Sequence, residues 1–193
     1  MERYVLSFIL LLYGCGFESD EQAKFFPVDP SELIYKKGDC LAFKIDSSNY
    51  IAGIVMNFSK DEGGLWYGFC FTDYLDTIIP DISTIKSKNI YGRKIQSTID
   101  DKGYFVGLDF EYMSDSCIKS LNEKSKLIGN LKLDTTKIEL GSEGATRDYS
   151  EFIEMFKFGR KRRLLPPDDY REILKLDKFR PDEYFSVNTF IIE

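Results

Sequence analysis

Histidine is absent from all 193 residues. That removes the commonest general base near neutral pH and the commonest ligand of catalytic zinc or iron. A serine or cysteine nucleophile would lack its usual partner base. The chain also has no glycine loop of the phosphate-cradling kind, no nucleophile elbow and no calcium-loop spacing of acidic residues. Its four cysteines, Cys15, Cys40, Cys70 and Cys117, include no close pair of metal-site spacing. We therefore expect a protein that is not an enzyme, with no catalytic residue, no metal and no cofactor. Positive charge is in short supply as well: 26 Lys and Arg stand against 32 Asp and Glu, for a net charge of -6. This excludes a general affinity for nucleic acid or anionic membrane, both of which need clustered positive charge, and it suits a basic protein partner.

Long apolar runs are scarce too. The longest, Tyr4 to Tyr13, lies behind Arg3 and is followed by Gly14 and Cys15. A membrane-spanning helix needs about 20 apolar residues, so the run is too short to stay in a bilayer. A short positive start, a brief apolar core and a small residue before the cut make a signal peptide. Leu12, Tyr13, Gly14 and Cys15 resemble the cleavage box of a lipoprotein. On this reading residues 1–14 are removed, Cys15 is acylated as a lipid anchor, and residues 15–31, acidic and broken by prolines, tether the domain to the cell envelope. The alternative is an amino-terminal buried strand or helix in a cytoplasmic protein. If Cys15 carries lipid, the other three cysteines form at most one disulfide; we expect them buried as thiols.

What the chain has in quantity is apolar and aromatic residues, 43% and 15%, enough for a packed core. Residues 32–193 read as one domain, with a core over 35–133 and an extension over 134–193. Leu41, Phe43 and Ile45 alternate with Cys40, Ala42 and Lys44, the period of two of a half-buried strand. Asp46 to Asn49 supplies a turn, and the apolar run Tyr50 to Met56 follows. Ser59 to Gly64 reverses the chain again. Leu65, Tyr67, Phe69 and Phe71 then line one face of a third strand, with Trp66, Gly68, Cys70 and Thr72 on the other.

A short helix opens near Pro80, and strands follow at Ile90 to Ile95, at Tyr104 to Tyr112 and, after a helix capped by Ser114 or Asp115, at Lys126 to Leu133. Gly53, Gly68, Gly92, Gly107 and Gly129 fall inside expected strands, where glycine often marks a bulge or bend. The expectation is a β-rich α+β fold: a strongly curved antiparallel sheet or small barrel with short helices and a C-terminal helical segment. Gly141 to Gly144 reads as a break. A helix begins near Asp148, with Glu151 completing a capping box and Tyr149, Phe152, Ile153 and Phe156 on one face. Arg160 to Arg163 reads as a solvated basic run, Asp168 to Leu176 as another short helix and Phe185 to Ile192 as the last strand.

Tyr35 to Leu133 resembles the immunity protein 26 family of bacterial toxin–immunity systems. The likeness rests on the order and spacing of four features: Lys37-Gly38-Asp39 opening the first strand, the glycine-containing run Ile51 to Met56, the aromatic strand leading into Asp73 and a short helix, and KLIGNLKL at Lys126 to Leu133. It implies a protein that binds a cognate, basic toxin and neutralises it by occlusion. Trp66, Asp73, Tyr74 and Asp76 near the third strand are the toxin-binding candidates, since aromatic anchors ringed by charge commonly carry binding energy. The family's name is also attached to a phosphotriesterase, an activity that usually draws on metal-binding histidines and is not carried over to this chain. Two other readings remain. One is an envelope hydrolase using carboxylates clustered at Asp73, Asp76 and Asp81, at Asp100 and Asp101, or at Asp168 and Asp169. The other is a surface lipoprotein that binds glycan or peptide.

Overall fold

The computed structural model describes residues 25–96, 104–134, 138–154, 156 and 183–192. Its strands are β1 (Asp39–Lys44), β2 (Tyr50–Asp61), β3 (Gly64–Asp76), β4 (Asn89–Gln96), β5 (Tyr104–Ser114), β6 (Ser125–Asn130), β7 (Ile138–Thr146) and β8 (Glu183–Ser186). Two short helices, α1 (Ile82–Lys86) and α2 (Asp115–Ser120), interrupt them. Seven strands follow the order β6-β1-β2-β3-β4-β5-β7, and β8 pairs with β4. All pairings are antiparallel except β5 with β7, which is parallel.

The path begins at β6 and ends at β7 without joining them, so the sheet is open and the barrel is not realised. It is nonetheless bent. β3 opposes β4 at Thr72 and Ile90 and opposes β5 from Trp66 to Phe69, while β4 and β5 oppose each other. Three straight strands cannot each run against the other two, so at least one turns sharply at this junction. Register shifts at Cys40/Leu41, Ile51/Gly53 and Val55/Asn57 add bends.

The alternation along β1 and β3 sorts side chains onto two buried faces. Leu41, Phe43, Leu65, Tyr67, Phe69 and Phe71 lie on the first, under α2 and the helical stretch at 149–154. Cys40, Cys70 and Tyr74 lie on the second, with Ile85 of α1, Val187 and Phe190. β2 is buried on both sides: Ile51 and Val55 face the first cluster, Ala52, Ile54 and Met56 the second. The shift between Val55 and Asn57 inverts the phase, which returns Phe58 to the first face. Gly53 is required here, because a Cβ would come within 2.8 Å of the Phe71 ring and 3.3 Å of Phe43.

Cys40 and Cys70 share the second face but stand two strands apart, across Ile54. By strand spacing their Cα atoms are roughly 10 Å apart, too far for a disulfide. Cys117 is on the opposite face, and all three are buried thiols.

Three local expectations change. The glycine-rich stretch read as a break is strand β7, which runs along β5 with a register shift at Phe110/Glu111. Phe185 to Ile192 is not one strand: β8 stops at Ser186, and Val187–Phe190 forms a 3-10 turn that buries Val187 and Phe190, three residues apart on one side of it. α1 starts at Ile82, with Asp81 rather than Pro80 setting its first turn. At 149–154 the chain is helical, and Asp148 Oδ1 accepts from the Ser150 and Glu151 amides at 2.7 and 3.4 Å. The expected C-terminal helical segment is not supported: the described residues nearest the C-terminus form β8 and the Val187–Phe190 turn. The basic run Arg160 to Arg163, the helix expected over 168–176 and the acid pairs Asp100–Asp101 and Asp168–Asp169 lie outside the described residues, as does Cys15.

Candidate functional site

Lys37-Gly38-Asp39 and KLIGNLKL, distant in sequence, meet in the structure. Gly38 takes φ +85°, and a Cβ there would sit 1.9 Å from the Leu131 carbonyl oxygen. Its own amide donates to Val55 O at 2.8 Å and its carbonyl accepts from Leu131 N at 2.9 Å. Asp39, buried, accepts from Asn130 Nδ2 at 2.8 Å and from the Lys36 amide at 2.7 Å. Asn130 Nδ2 also reaches Lys37 O at 3.0 Å. Both motifs therefore form one latch that fixes β6 against β1. Its polar groups are spent inside the fold.

The four candidate binding residues fall into three situations. Trp66 is buried; its indole N–H donates to Asp61 Oδ1 at 2.9 Å, and the Arg147 guanidinium stands 5.4 Å over its ring. Asp73, seven residues further along β3 and so roughly 23 Å away, accepts from the Asn89 amide at 3.1 Å and from Asn89 Nδ2 at 2.9 Å. Tyr74 is buried as well, with Lys88 Nζ 5.7 Å from its ring centre. Its hydroxyl donates to the Ile78 carbonyl, and burial, with Asp76 nearby, raises its pKa. Only Asp76 is exposed. The structure thus groups Asp73, Tyr74 and Asp76 at one end of β3 and leaves Trp66 at the other.

Within that group half-buried Asp73 and buried Tyr74 position what is exposed. Asp73 braces the start of β4, and Tyr74 holds the 77–80 loop by the Ile78 carbonyl. The loop presents Ile78, 69% exposed, three residues beyond Leu75, 42% exposed. Tyr50 pairs with both Asp76 and Lys44, which brings the Asp46 turn to the same end of the sheet. Asp46 accepts from the Ser48 and Asn49 amides at 2.9 and 2.8 Å. These bonds, the Asn49 side chain above all, hold its pKa down at about 2, so it stays ionised. Leu75 and Ile78 were not among the sequence candidates. The available signal was Thr77-Ile78-Ile79-Pro80, an apolar pair between a strand end and a proline, where neither strand nor helix period can bury both.

Chemically this end offers apolar contact beside fixed negative charge. The other carboxylates of the neighbourhood are engaged locally: Asp81 caps α1 through the Thr84 amide and the Ser83 hydroxyl, both at 2.7 Å. Among the described residues no group of three or more Cys, Asp or Glu is placed to hold a metal ion. Burial pushes the Cys40 thiol up to about 12 and, with Asp148 and Glu151 nearby, the Cys117 thiol up to about 11, so neither is a thiolate near neutrality. No helix among the described residues is long and apolar enough to cross a membrane. Comparison with protein-family models, with curated proteins and with solved structures yields no match for this chain.

Proposed function

We propose that this protein is an immunity protein, anchored in the cell envelope through Cys15, which binds a basic toxin and neutralises it by covering its active site. The observation that carries the reading is the β3 end, where exposed Leu75 and Ile78 flank exposed Asp76, with the Asp46 turn one strand away. Apolar anchors give such a contact its affinity, and surrounding charge of one sign speeds encounter with a partner of the other. Both carboxylates sit on turns fixed by their own backbone donors, Asp76 accepting from the Thr77 amide at 2.6 Å. Little side-chain freedom is left to lose on binding.

The hydrolase alternative draws on the same carboxylates, but Asp73 is bonded to Asn89 and Asp81 to α1. Co-expression with the toxin encoded by a neighbouring gene tests the proposal. Growth is restored by the unaltered chain and lost with Asp76→Lys combined with Ile78→Asp, both exposed and tolerable to the fold. Absence of rescue by the unaltered chain overturns the reading.

A further inference from the structure

At the opposite end of the sheet the chain enters the domain through a second apolar cluster. Phe25 is 73% exposed, Phe26 45% and Ile34 47%. The Phe26 amide donates to Lys60 O at 2.7 Å, and the Ile34 amide donates to Tyr67 Oη at 2.9 Å. Phe58 faces Tyr67 across the β2–β3 ladder, two residues from Lys60 along β2. Lys60 also pairs with Glu32 at 2.7 Å and ties the 30–32 turn to the same edge. Phe26 and Ile34 are thus pinned through their backbone amides and, with Phe25 next to Phe26 in the chain, still face solvent. Exposed aromatic residues held this way mark a contact surface.

Phe25 follows Cys15 by ten residues, a reach of at most about 36 Å. We propose that Phe25, Phe26 and Ile34 dock the domain on the zwitterionic surface of the bilayer that holds the Cys15 anchor. The inference rests on the lipoprotein reading made above. Rings at the interface favour the headgroup boundary, where their faces leave water without reaching the bilayer centre. The acidic net charge of -6 selects a neutral lipid surface over an anionic one.

The docking also sets orientation. Lys60, where Phe26 is held, and Tyr50, beside Asp76, are ten residues apart on β2, roughly 30 Å. Seating the aromatic end on lipid therefore turns Leu75, Asp76 and Ile78 away from the membrane, toward an arriving toxin.

The test uses the full acylated chain in phosphatidylcholine vesicles with brominated acyl chains. Trp66 is the only tryptophan and is buried, so its quenching in the unaltered chain supplies the baseline. The tryptophan introduced by Phe25→Trp should be quenched at least twofold more than Trp66, and less so when phosphatidylglycerol replaces half of the lipid. Vesicle-bound protein whose added tryptophan is quenched no more than Trp66 overturns the docking while leaving the anchor in place. Protein that stays in solution overturns the anchor reading and the docking with it. Loss of toxin rescue in Phe25→Ser combined with Phe26→Ser, without any lipid quenching, would assign the patch to the toxin instead.

Discussion

The first face of the sheet is built around a set of interlocked large rings, whereas the buried residues of the second are mostly aliphatic and thiol groups. On the first, Phe43 lies 5.4, 5.6 and 6.0 Å from Phe69, Phe71 and Phe152, and Phe71 lies 5.1 Å from Phe152 and 5.5 Å from Phe156. On the second, Cys40, Ala52, Ile54, Met56, Cys70, Ile85 and Ile90 share the work. Interlocked rings concentrate packing energy in single positions, whereas small groups spread it and let neighbours close a gap. The first face is therefore the brittle one and the second the tolerant one.

Phe43→Ala should break this comparison open most visibly. Removing a ring that three others touch leaves a cavity none of them can fill, at a cost of about 3–5 kcal/mol. Urea unfolding followed by Trp66 fluorescence reads the loss as a lower midpoint. Gly53→Ala strikes the same face from the backbone: its Cβ must displace the Phe71 ring, and overpacking of this kind costs about 1–3 kcal/mol. Ile54→Val, on the second face one residue along β2, should cost only about 0.5–1.5 kcal/mol. Equal midpoints for Gly53→Ala and Ile54→Val would erase the distinction between the faces.

The distinction itself is legible in the chain, because alternation in Leu41 to Ile45 and Leu65 to Thr72 assigns Phe43, Tyr67, Phe69 and Phe71 to one side and Cys40 and Cys70 to the other. The antiparallel order of the first three strands follows from the turns at Asp46 to Asn49 and Ser59 to Gly64. β7 is not legible. Its glycines weaken strand propensity, and its partner β5 lies some thirty residues upstream, so what stabilises it is a long-range pairing that local pattern does not encode. The bend at Val187 is hidden for a similar reason: the Val187 amide bonds to Lys88 O at 2.9 Å, a contact outside its own segment.

Three of the four binding candidates, Asp73, Tyr74 and Asp76, fall together at one end of β3, where acids and a proline mark the strand's stop. The exposed apolar residues beside them, Leu75 and Ile78, are not among those candidates. Tyr74 and Trp66 look like anchors because large aromatics often are, but alternation alone cannot say whether the second face of β3 is covered. α1, the Val187–Phe190 turn and Arg147 cover it, and Ile78 is displaced outward by the loop that Tyr74 holds.

The smallest expected effect sharpens the comparison from the side of the second face. Asp81 caps α1, whose Ile85 packs in the cluster that contains Cys40 and Cys70. Asp81→Ala should loosen this cover alone, so that a thiol reagent at neutral pH labels Cys40 and Cys70 faster while Cys117, on the first face, keeps its rate. The amide and hydroxyl bonds of the cap hold the Asp81 pKa at about 2, below its ordinary 3.8. A group with a depressed folded-state pKa stabilises the fold above its unfolded value and loses that contribution as pH falls through its folded value. The stability difference between the unaltered chain and Asp81→Ala should accordingly be full at pH 5 and above, and shrink from about pH 4 toward pH 2. A difference that stayed constant over that interval would mean that the carboxylate's charge plays no part in the cap. Labelling that rose equally at all three cysteines would mean that the two faces open together rather than separately.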